Sequence, residues 1–267
     1  MRVGGEVLAI DPYFTRIPFR KMWVGRVQSD RQLVAEKMRR CDWVLVTHAH
    51  FDHLLDVPEV ARQTGATVCG SYNTCRLLTA LGVPQRQLRE IRMGDQFTLG
   101  GFQITALEAD HIPTPGFTAG PLPRNLYPPL RARDYRMDGH FCFLVQVEGY
   151  RLLTDTGRCV TSAVPADVWF ANLLKRARLY PPLLQRVQPR LIVPIHWDNM
   201  WRSLSRPVRP LFTPPHRTLR LLPRANLRQW TRMIERMAPD AQVLLPEVFQ
   251  SYTLERLLEP AEEGGLR

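Results

Sequence analysis

The sequence has no long apolar run and no leader-like start. None of its 267 residues falls in a stretch of about 18 consecutive apolar residues, which argues against a membrane-spanning helix. Residues 1–6 lack the basic and apolar regions of a secretory signal peptide. Hydrophobic residues make up 45% of the chain, an ordinary share for a globular core. The composition therefore predicts a globular protein outside the membrane, in one large domain or two small ones.

Cysteine and lysine are both scarce. The five cysteines are an odd number without a Cys-x-x-Cys pair, which is typical of buried thiols in a reduced cytoplasm. Lys21, Lys37 and Lys175 are the only lysines, so arginine carries nearly all of the net charge of +11. The arginines are scattered along the chain. Their charge favours anionic partners in general, but it does not indicate a dedicated nucleic-acid groove.

One short segment concentrates the ligand-type side chains. His48-Ala49-His50-Phe51-Asp52-His53 follows an apolar, β-branched run that predicts a buried strand. Side chains alternate along an extended strand end, so His48 and His50 should point the same way. Neutral imidazoles with a carboxylate suit zinc, with manganese or iron as alternatives. A solvated histidine-rich loop is the competing interpretation, and the buried strand directly before the motif argues against it.

Three later residues follow predicted strands in the same manner. His111 closes the run 102–110, Asp155 stands in Leu-Leu-Thr-Asp-Thr-Gly, and His196 follows the apolar run 191–195. Together with the His-x-His-x-Asp-His segment, this order resembles the metallo-β-lactamase superfamily of metallohydrolases over nearly the whole chain. The sequence around the motif looks more like the branch that contains ascorbate-6-phosphate lactonase and the N-acyl-phosphatidylethanolamine phospholipase D type.

The resemblance implies a fold, a cofactor and a chemistry. The fold is an α/β protein, a four-layer αβ/βα sandwich with the site at one edge, in a single domain over residues 1–267. The cofactor is a pair of divalent metal ions, with Zn²⁺ favoured over Mn²⁺ or Fe²⁺. The implied ligands form two groups joined by a bridging carboxylate: His48, His50 and His111; Asp52, His53 and His196; and Asp155. A metal-bridging hydroxide would attack the substrate, with Asp52 as the catalytic residue that orients it or takes its proton.

Two features depart from the family's pattern. Only a few residues precede the first predicted strand, so we expect that the N-terminal hairpin is missing or that the natural start lies upstream. Residues 112–139 form a long connection rich in proline and arginine that leaves directly from His111. Loops of this length in a compact domain are usually functional lids or disordered segments. We expect a lid over the site.

Several weaker candidates for substrate binding remain. His140 begins the strand after the lid and could reach the substrate, although a core or solvated histidine fits equally well. The lid arginines Arg124, Arg131 and Arg133 could bind phosphate or carboxylate through two hydrogen bonds. Asp11 and Asp110 could orient a ligand imidazole or could simply be turn residues. Segments 169–180 and 197–212 combine aromatic and basic residues and could face an amphiphilic substrate or a membrane surface.

The sequence leaves three functions open. The favoured one is a metallohydrolase that acts on a phosphate-bearing ester, phosphodiester or lactone, so its partner would be a small or lipid-like anionic molecule. A nuclease that uses the basic surface is the second. A non-enzymatic metal- or partner-binding protein on the same fold is the third, and the complete ligand set argues against it.

Overall fold

Two β-sheets form the centre of the molecule and face each other across a buried apolar layer. The structure, a computed structural model, describes residues 1–112, 116–210 and 226–259. Its strands are β1 (Arg2–Val3), β2 (Glu6–Ile10), β3 (Trp43–Leu45), β4 (Thr67–Gly70), β5 (Leu88–Glu90), β6 (Gln96–Leu99), β7 (Phe102–Glu108), β8 (Thr118–Ala119), β9 (Arg136–Met137), β10 (Phe141–Val147), β11 (Tyr150–Asp155), β12 (Val168–Asn172), β13 (Leu191–Ile195) and β14 (Gln242–Val243). Its helices are α1 (Arg31–Lys37), α2 (Phe51–Leu54), α3 (Val57–Thr64), α4 (Tyr72–Ala80), α5 (Tyr180–Val187), α6 (Leu227–Met237) and α7 (Leu254–Leu258). Short 3₁₀ helices cover Phe19–Met22, Gln85–Gln87, Ala132–Asp134 and Ala177–Leu179.

The strand directions decide which loops can meet. The first sheet joins β1 to β5 in chain order, and the second has the order β14-β13-β12-β11-β10-β7-β6. In the second sheet β11 to β14 run parallel, whereas β10 runs antiparallel to both β7 and β11. The carboxyl ends of β7, β11 and β13 therefore lie at the same edge as the amino end of β10.

The strand sequences match the layers that cover them. Phe102 and Ile104 of β7 point into the layer between the sheets, where Leu45 of the first sheet is also buried. Strand β10 is apolar on both faces because both are covered. Its Phe143 lies between the sheets, and its Cys142 lies in the layer beneath α5 and α6.

Helices complete the outer layers. Helices α1, α3 and α4 contribute Val34, Val60 and Leu77 to a core against the first sheet. Helices α5 and α6 contribute Leu183 and Trp230 to a core against the second. This arrangement confirms the predicted four-layer αβ/βα sandwich.

The amino end differs from the expectation of a missing hairpin. Strand β1 pairs antiparallel with β2 in the register Arg2↔Val7 and Val3↔Glu6. With only two residues in β1, the hairpin is present in a short form.

The predicted lid segment is packed onto the domain where the structure describes it, from residue 116 to 139. Strands β8 and β9 pair within it. The side-chain amide of Asn73 donates to Gly120 O at 3.0 Å and to Arg136 O at 2.9 Å. Leu130 and Tyr135 of the segment are buried in the core beneath α1, α3 and α4. In this structure the segment is therefore a packed part of the domain.

In the described part of the chain, none of the helices combines the length and apolarity that crossing a membrane requires. All five cysteines are free thiols, and four of them are buried.

Candidate metal centre

Loops at the ends of β3, β7 and β13 meet at one edge of the sandwich and bring six of the predicted ligands together. Two come from the loop after β3, two from the first turn of α2, and one each from the residues that follow β7 and β13. In that order they are His48, His50, Asp52, His53, His111 and His196. The fold places them together because parallel strands present their carboxyl ends at one edge of a sheet.

The first group of histidines is tightly clustered. The ring of His48 lies 4.6 Å from that of His50 and 4.9 Å from that of His111, and the rings of His50 and His111 are 4.7 Å apart. One ligand nitrogen from each lies within 4.8 Å of the others. Three imidazole nitrogens at this separation can coordinate one metal ion.

The second group lies directly beside the first. The ring of His53 is 3.9 Å from that of His48 and 5.5 Å from that of His196. His53 Nε2 is 3.4 Å from Asp52 Oδ2. This places one carboxylate and two imidazoles around a second point.

Five atoms of the cluster are buried without a hydrogen-bond partner among the described residues. They are His48 Nε2, His50 Nδ1, Asp52 Oδ1, His140 Nδ1 and His196 Nδ1. Leaving a buried polar atom unsatisfied costs about 1–3 kcal/mol, so such atoms rarely accumulate without a reason. Nitrogen and carboxylate donors that converge without partners fit a divalent metal ion.

The protonation states also suit a metal site. Burial removes hydration from the charged imidazolium, which lowers the pKa of His50 to about 4, of His111 to about 3 and of His196 to about 4. The same cause lowers the pKa of His48 well below its usual value. These imidazoles are neutral at physiological pH, which is the form that binds metal.

Asp52 and His53 behave as a charged pair. Burial disfavours the imidazolium of His53, but Asp11 and Asp52 outweigh it and raise the pKa of His53 to about 10. Burial likewise disfavours the carboxylate of Asp52, but the charge of His53 outweighs it and holds the pKa of Asp52 below its usual value. Asp52 is therefore ionised and can accept a proton or a cation.

Neighbouring groups hold three of the imidazoles in place. Asp11 accepts hydrogen bonds from Thr47 N at 2.8 Å and from His53 Nδ1 at 2.7 Å. Thr47 Oγ1 lies 3.0 Å from His48 Nδ1, and His50 Nε2 lies 2.9 Å from Thr118 O. Asp11 is thus an orienting group, the first of the two possibilities left open by the sequence. Asp110, the other candidate, is exposed and lies 3.8 Å from Arg158.

His140 lies inside the histidine cluster. Its ring stacks on His48 at 4.4 Å, and its Nε2 lies 2.8 Å from Thr156 Oγ1. His140 lies there because it directly precedes β10, which runs antiparallel to β7. The residue before β10 is therefore next to the residues that follow β7. The main chain confirms this, since Ala109 N donates to His140 O at 3.0 Å. The sequence carried no signal for this position, because β7 and β10 are separated by the segment that contains β8 and β9.

Asp155 does not face the histidines. Its Oδ2 lies 2.8 Å from Lys175 Nζ and accepts from Trp169 Nε1 at 3.2 Å. Its Oδ1 accepts from Cys142 Sγ at 3.5 Å. Among the described residues, these three side chains surround the Asp155 carboxylate beneath α5 and α6. The carboxylate lies on the same face of β11 as Leu153. Alternation along the strand sends residues 153 and 155 to the same face, a signal that the sequence already contained.

Of the remaining candidates, the two aromatic-basic segments reach the ligands and the lid arginines do not. Segment 169–180, through Phe170 and Leu174, and segment 197–212, through Asp198 and Met200, line a cavity that His196 also borders. Arg124, Arg131 and Arg133 are exposed. In segment 169–180, Trp169 and Tyr180 are fully buried in the core, as a packed segment requires. Segment 197–212 is described as far as residue 210. Residues 113–115 of the predicted lid and residues 211–212 of this segment fall outside the described ranges.

The chain is similar to a known protein family and to several curated proteins. Residues 7–124 match the family described as the beta-lactamase superfamily domain. A UPF0173 metal-dependent hydrolase of Cupriavidus taiwanensis is 39% identical over 226 residues, which cover 76% of this chain and 72% of that protein. One from Anaeromyxobacter sp. strain K is 32% identical over 111 residues, which cover 40% of this chain but only 37% of that protein. The match to a second Anaeromyxobacter relative spans 49% of its length.

Solved structures support the fold alone. Igni18, a metallo hydrolase from Ignicoccus hospitalis, has a TM-score of 0.56 and 18% sequence identity, covering 92% of this chain and 89% of its own. CmlA, a diiron beta-hydroxylase from Streptomyces venezuelae, has a TM-score of 0.55 and 13% identity, covering 92% of this chain and 50% of its own.

Proposed function

We propose, since the chain belongs to the UPF0173 metal-dependent hydrolase family of the beta-lactamase superfamily, that it hydrolyses a phosphate-bearing ester, phosphodiester or lactone with the help of bound metal. The observation that carries the proposal is the set of buried histidine nitrogens and the Asp52 oxygen that converge without partners. The net charge of +11 supports an anionic substrate. The five free thiols support a cytoplasmic location as part of the same proposal.

The ligands divide into two sets. His48, His50 and His111 would hold one ion, and Asp52, His53 and His196 would hold the other. To serve as a ligand, His53 would give up the proton on Nε2 and keep the one that Nδ1 shares with Asp11. Bound Zn²⁺, with Mn²⁺ or Fe²⁺ as alternatives, would supply Lewis acidity and lower the pKa of water to near 7.

The chain's own residues would position and accept protons. Asp52 is ionised and keeps Oδ1 free, so it can accept a proton from the attacking water. Asp11 holds His53 in one orientation through the bond to its Nδ1. Asp155 is left out of the proposed steps because both of its carboxylate oxygens already have partners on the other face of β11.

The proposal is tested by metal content and by turnover together. Protein purified without chelator should contain close to two equivalents of a transition metal by elemental analysis. It should also turn over at least one compound in a panel of phosphodiesters, phosphate esters and lactones, and His111→Ala should lose both properties. A metal content near zero after reconstitution would refute the assignment. Turnover of RNA or DNA alone, with a steep dependence on salt, would favour the nuclease instead.

A further inference from the structure

A cavity of about 620 Å³ opens beside the second group of ligands. One end is bordered by Asp52, His53 and His196. Most of the remaining wall is apolar and comes from both sheets and the loop after β2, including Ile10, Phe14, Phe170, Leu174, Ile195 and Met200. A volume of this size is typical of small-molecule sites, which combine apolar walls with a few polar groups.

Arg16 is the cation in the wall of this cavity. Its Nη1 lies 2.5 Å from Asp198 Oδ2 and donates to Asn199 O at 3.2 Å. Its Nε is buried and has no partner among the described residues. The side of the guanidinium formed by Nε and Nη2 can bind two oxygens of a carboxylate or phosphate at once.

The loop that carries Arg16 is held rigidly. Buried Asp56 accepts hydrogen bonds from Phe14 N at 2.6 Å, from Thr15 N at 2.8 Å and from Thr15 Oγ1 at 2.5 Å. Arg16 itself has φ +47°, a left-handed conformation that residues other than glycine rarely adopt. Strained backbone that its surroundings enforce is concentrated at functional sites, and here it occurs at a residue that lines the cavity.

The exposed arginines of the predicted lid offer a contrast. Arg124 lines a different depression together with Tyr72 and Arg76, and neither Arg131 nor Arg133 contributes to the wall of the cavity. Of the arginines with described positions, Arg16 is the one that lines the same cavity as the ligands Asp52, His53 and His196.

We propose that this cavity selects an amphiphilic anion, in which Arg16 binds the phosphate or carboxylate group and the apolar wall holds an alkyl or aryl portion. The inference rests on the proposed function, because it places the susceptible bond of that substrate near Asp52 and His196. It narrows the substrate class from any phosphate-bearing ester to one with an apolar chain or ring.

The test is calorimetric binding of three probes to the protein purified without chelator: n-octylphosphonate, methylphosphonate and n-octanol. Octylphosphonate should bind at least about tenfold more tightly than methylphosphonate, because burying each additional methylene is favourable. Arg16→Met should weaken both phosphonates by about tenfold and leave octanol unchanged. Arg124→Met, at an exposed arginine, is the matched control and should change none of the three.

Two further variants separate recognition from a purely structural ion pair. Asp198→Asn frees the guanidinium of Arg16, so it should strengthen phosphonate binding, whereas a structural role predicts only a lower melting temperature. Met200→Trp fills the cavity from a loop and should remove the advantage of the octyl chain while sparing methylphosphonate. These two variants decide the matter if Arg16→Met does not fold.

Equal affinities of octylphosphonate and methylphosphonate, or unchanged phosphonate binding in both Arg16→Met and Asp198→Asn, would overturn the inference. The proposed function can fail separately. The protein could hold no metal and turn over none of the panel, yet bind the three probes in the expected order. That result would support the cavity assignment and refute the proposed hydrolase function.

Discussion

The histidine cluster and the group around Asp155 are both buried collections of metal-ligand side chains, but only one has unmet hydrogen-bonding capacity. The nitrogens of His48 and His50 that face the cluster have no partner among the described residues. Asp155 lies with Cys142 and Cys159, whose ligand atoms are equally close together, yet its carboxylate is bound by Lys175 and Trp169.

The difference shows how a metal site can be distinguished from a structural ion pair. Both groups would satisfy a search for clustered histidine, cysteine and carboxylate. A buried carboxylate that is neutralised by a buried ammonium has no need of a cation, whereas neutral imidazoles with free lone pairs do. Buried polar atoms without hydrogen-bond partners, rather than residue types alone, therefore indicate that the metal site is the histidine cluster at the edge of the sheets.

The largest effect should come from removing a ligand of the histidine cluster, whose buried nitrogens have no hydrogen-bond partner. His48→Ala is expected to lose metal and to reduce turnover below detection while the protein remains folded. The cluster then lacks one of three imidazoles, and the hydrogen bond between His48 Nδ1 and Thr47 Oγ1 is lost with it. Elemental analysis and far-ultraviolet circular dichroism check this. Retained metal at the wild-type level would mean that His48 is not a ligand.

A smaller but still large loss is expected from Asp52→Asn. The amide keeps the volume of the side chain but cannot take a proton, which typically costs on the order of 10²–10⁴ in kcat. Steady-state kinetics on a validated substrate measures the effect, and the metal content of the same sample is the control. Near-native kcat would exclude Asp52 as the proton acceptor.

Substitutions in the group around Asp155 should lower the free energy of unfolding. Lys175→Met leaves the Asp155 carboxylate buried without its cation, and breaking such a pair typically costs about 3–5 kcal/mol. Asp155→Asn should be destabilising as well, and the double variant should recover part of the loss. Urea unfolding of the four proteins gives the coupling energy. If Asp155→Asn loses one metal equivalent with little change in stability, Asp155 is a bridging ligand after all.

The pH dependence of the stability of the chelator-treated protein should reveal both the lowered and the raised histidine pKa values. His50, His111 and His196 have pKa values of about 4, 3 and 4 when folded, against 6.5 when unfolded. The unfolded chain therefore binds protons first, and stability is lost as the pH falls below about 6.5. His53, with its pKa raised to about 10, stabilises the fold below 6.5 and loses that contribution as the pH rises towards 10.

Melting temperatures at pH 5, 6.5 and 9.5 should therefore peak at the middle value. His53→Gln should remove most of the alkaline decline and leave the acid decline in place. A melting temperature that rises on acidification would contradict the assignment of neutral buried histidines.

The smallest effect is expected from the arginines of the predicted lid. The sequence left them as candidates for binding phosphate or carboxylate, but Arg124, Arg131 and Arg133 are exposed and lie outside the cavity that borders Asp52. Replacing all three by alanine should change KM for an anionic substrate by less than about twofold, since exposed charges are screened by solvent. A tenfold rise would restore the lid arginines as substrate contacts.

The fold class, the histidine-rich loop and the two strands that precede His111 and His196 could all be predicted from the sequence. These features are local: strand runs are apolar, turns carry glycine, and ligands stand where strands stop. Strand β11 with its hairpin to β10 was equally readable, since the Glu148-Gly149 turn joins two apolar runs in the register Val147↔Tyr150.

The direction of each side chain and the groups that it contacts depend on packing between parts of the chain that are distant in sequence. The predicted bridge at Asp155 depended on which face of β11 is directed at the site, and that face is set by the packing of Leu152 between the sheets and Leu153 beneath the helices. His140 joined the cluster through antiparallel pairing, and Arg16 reached the cavity through a loop held by Asp56. Such contacts link residues far apart in the chain, and local periodicity carries no information about partners at that distance.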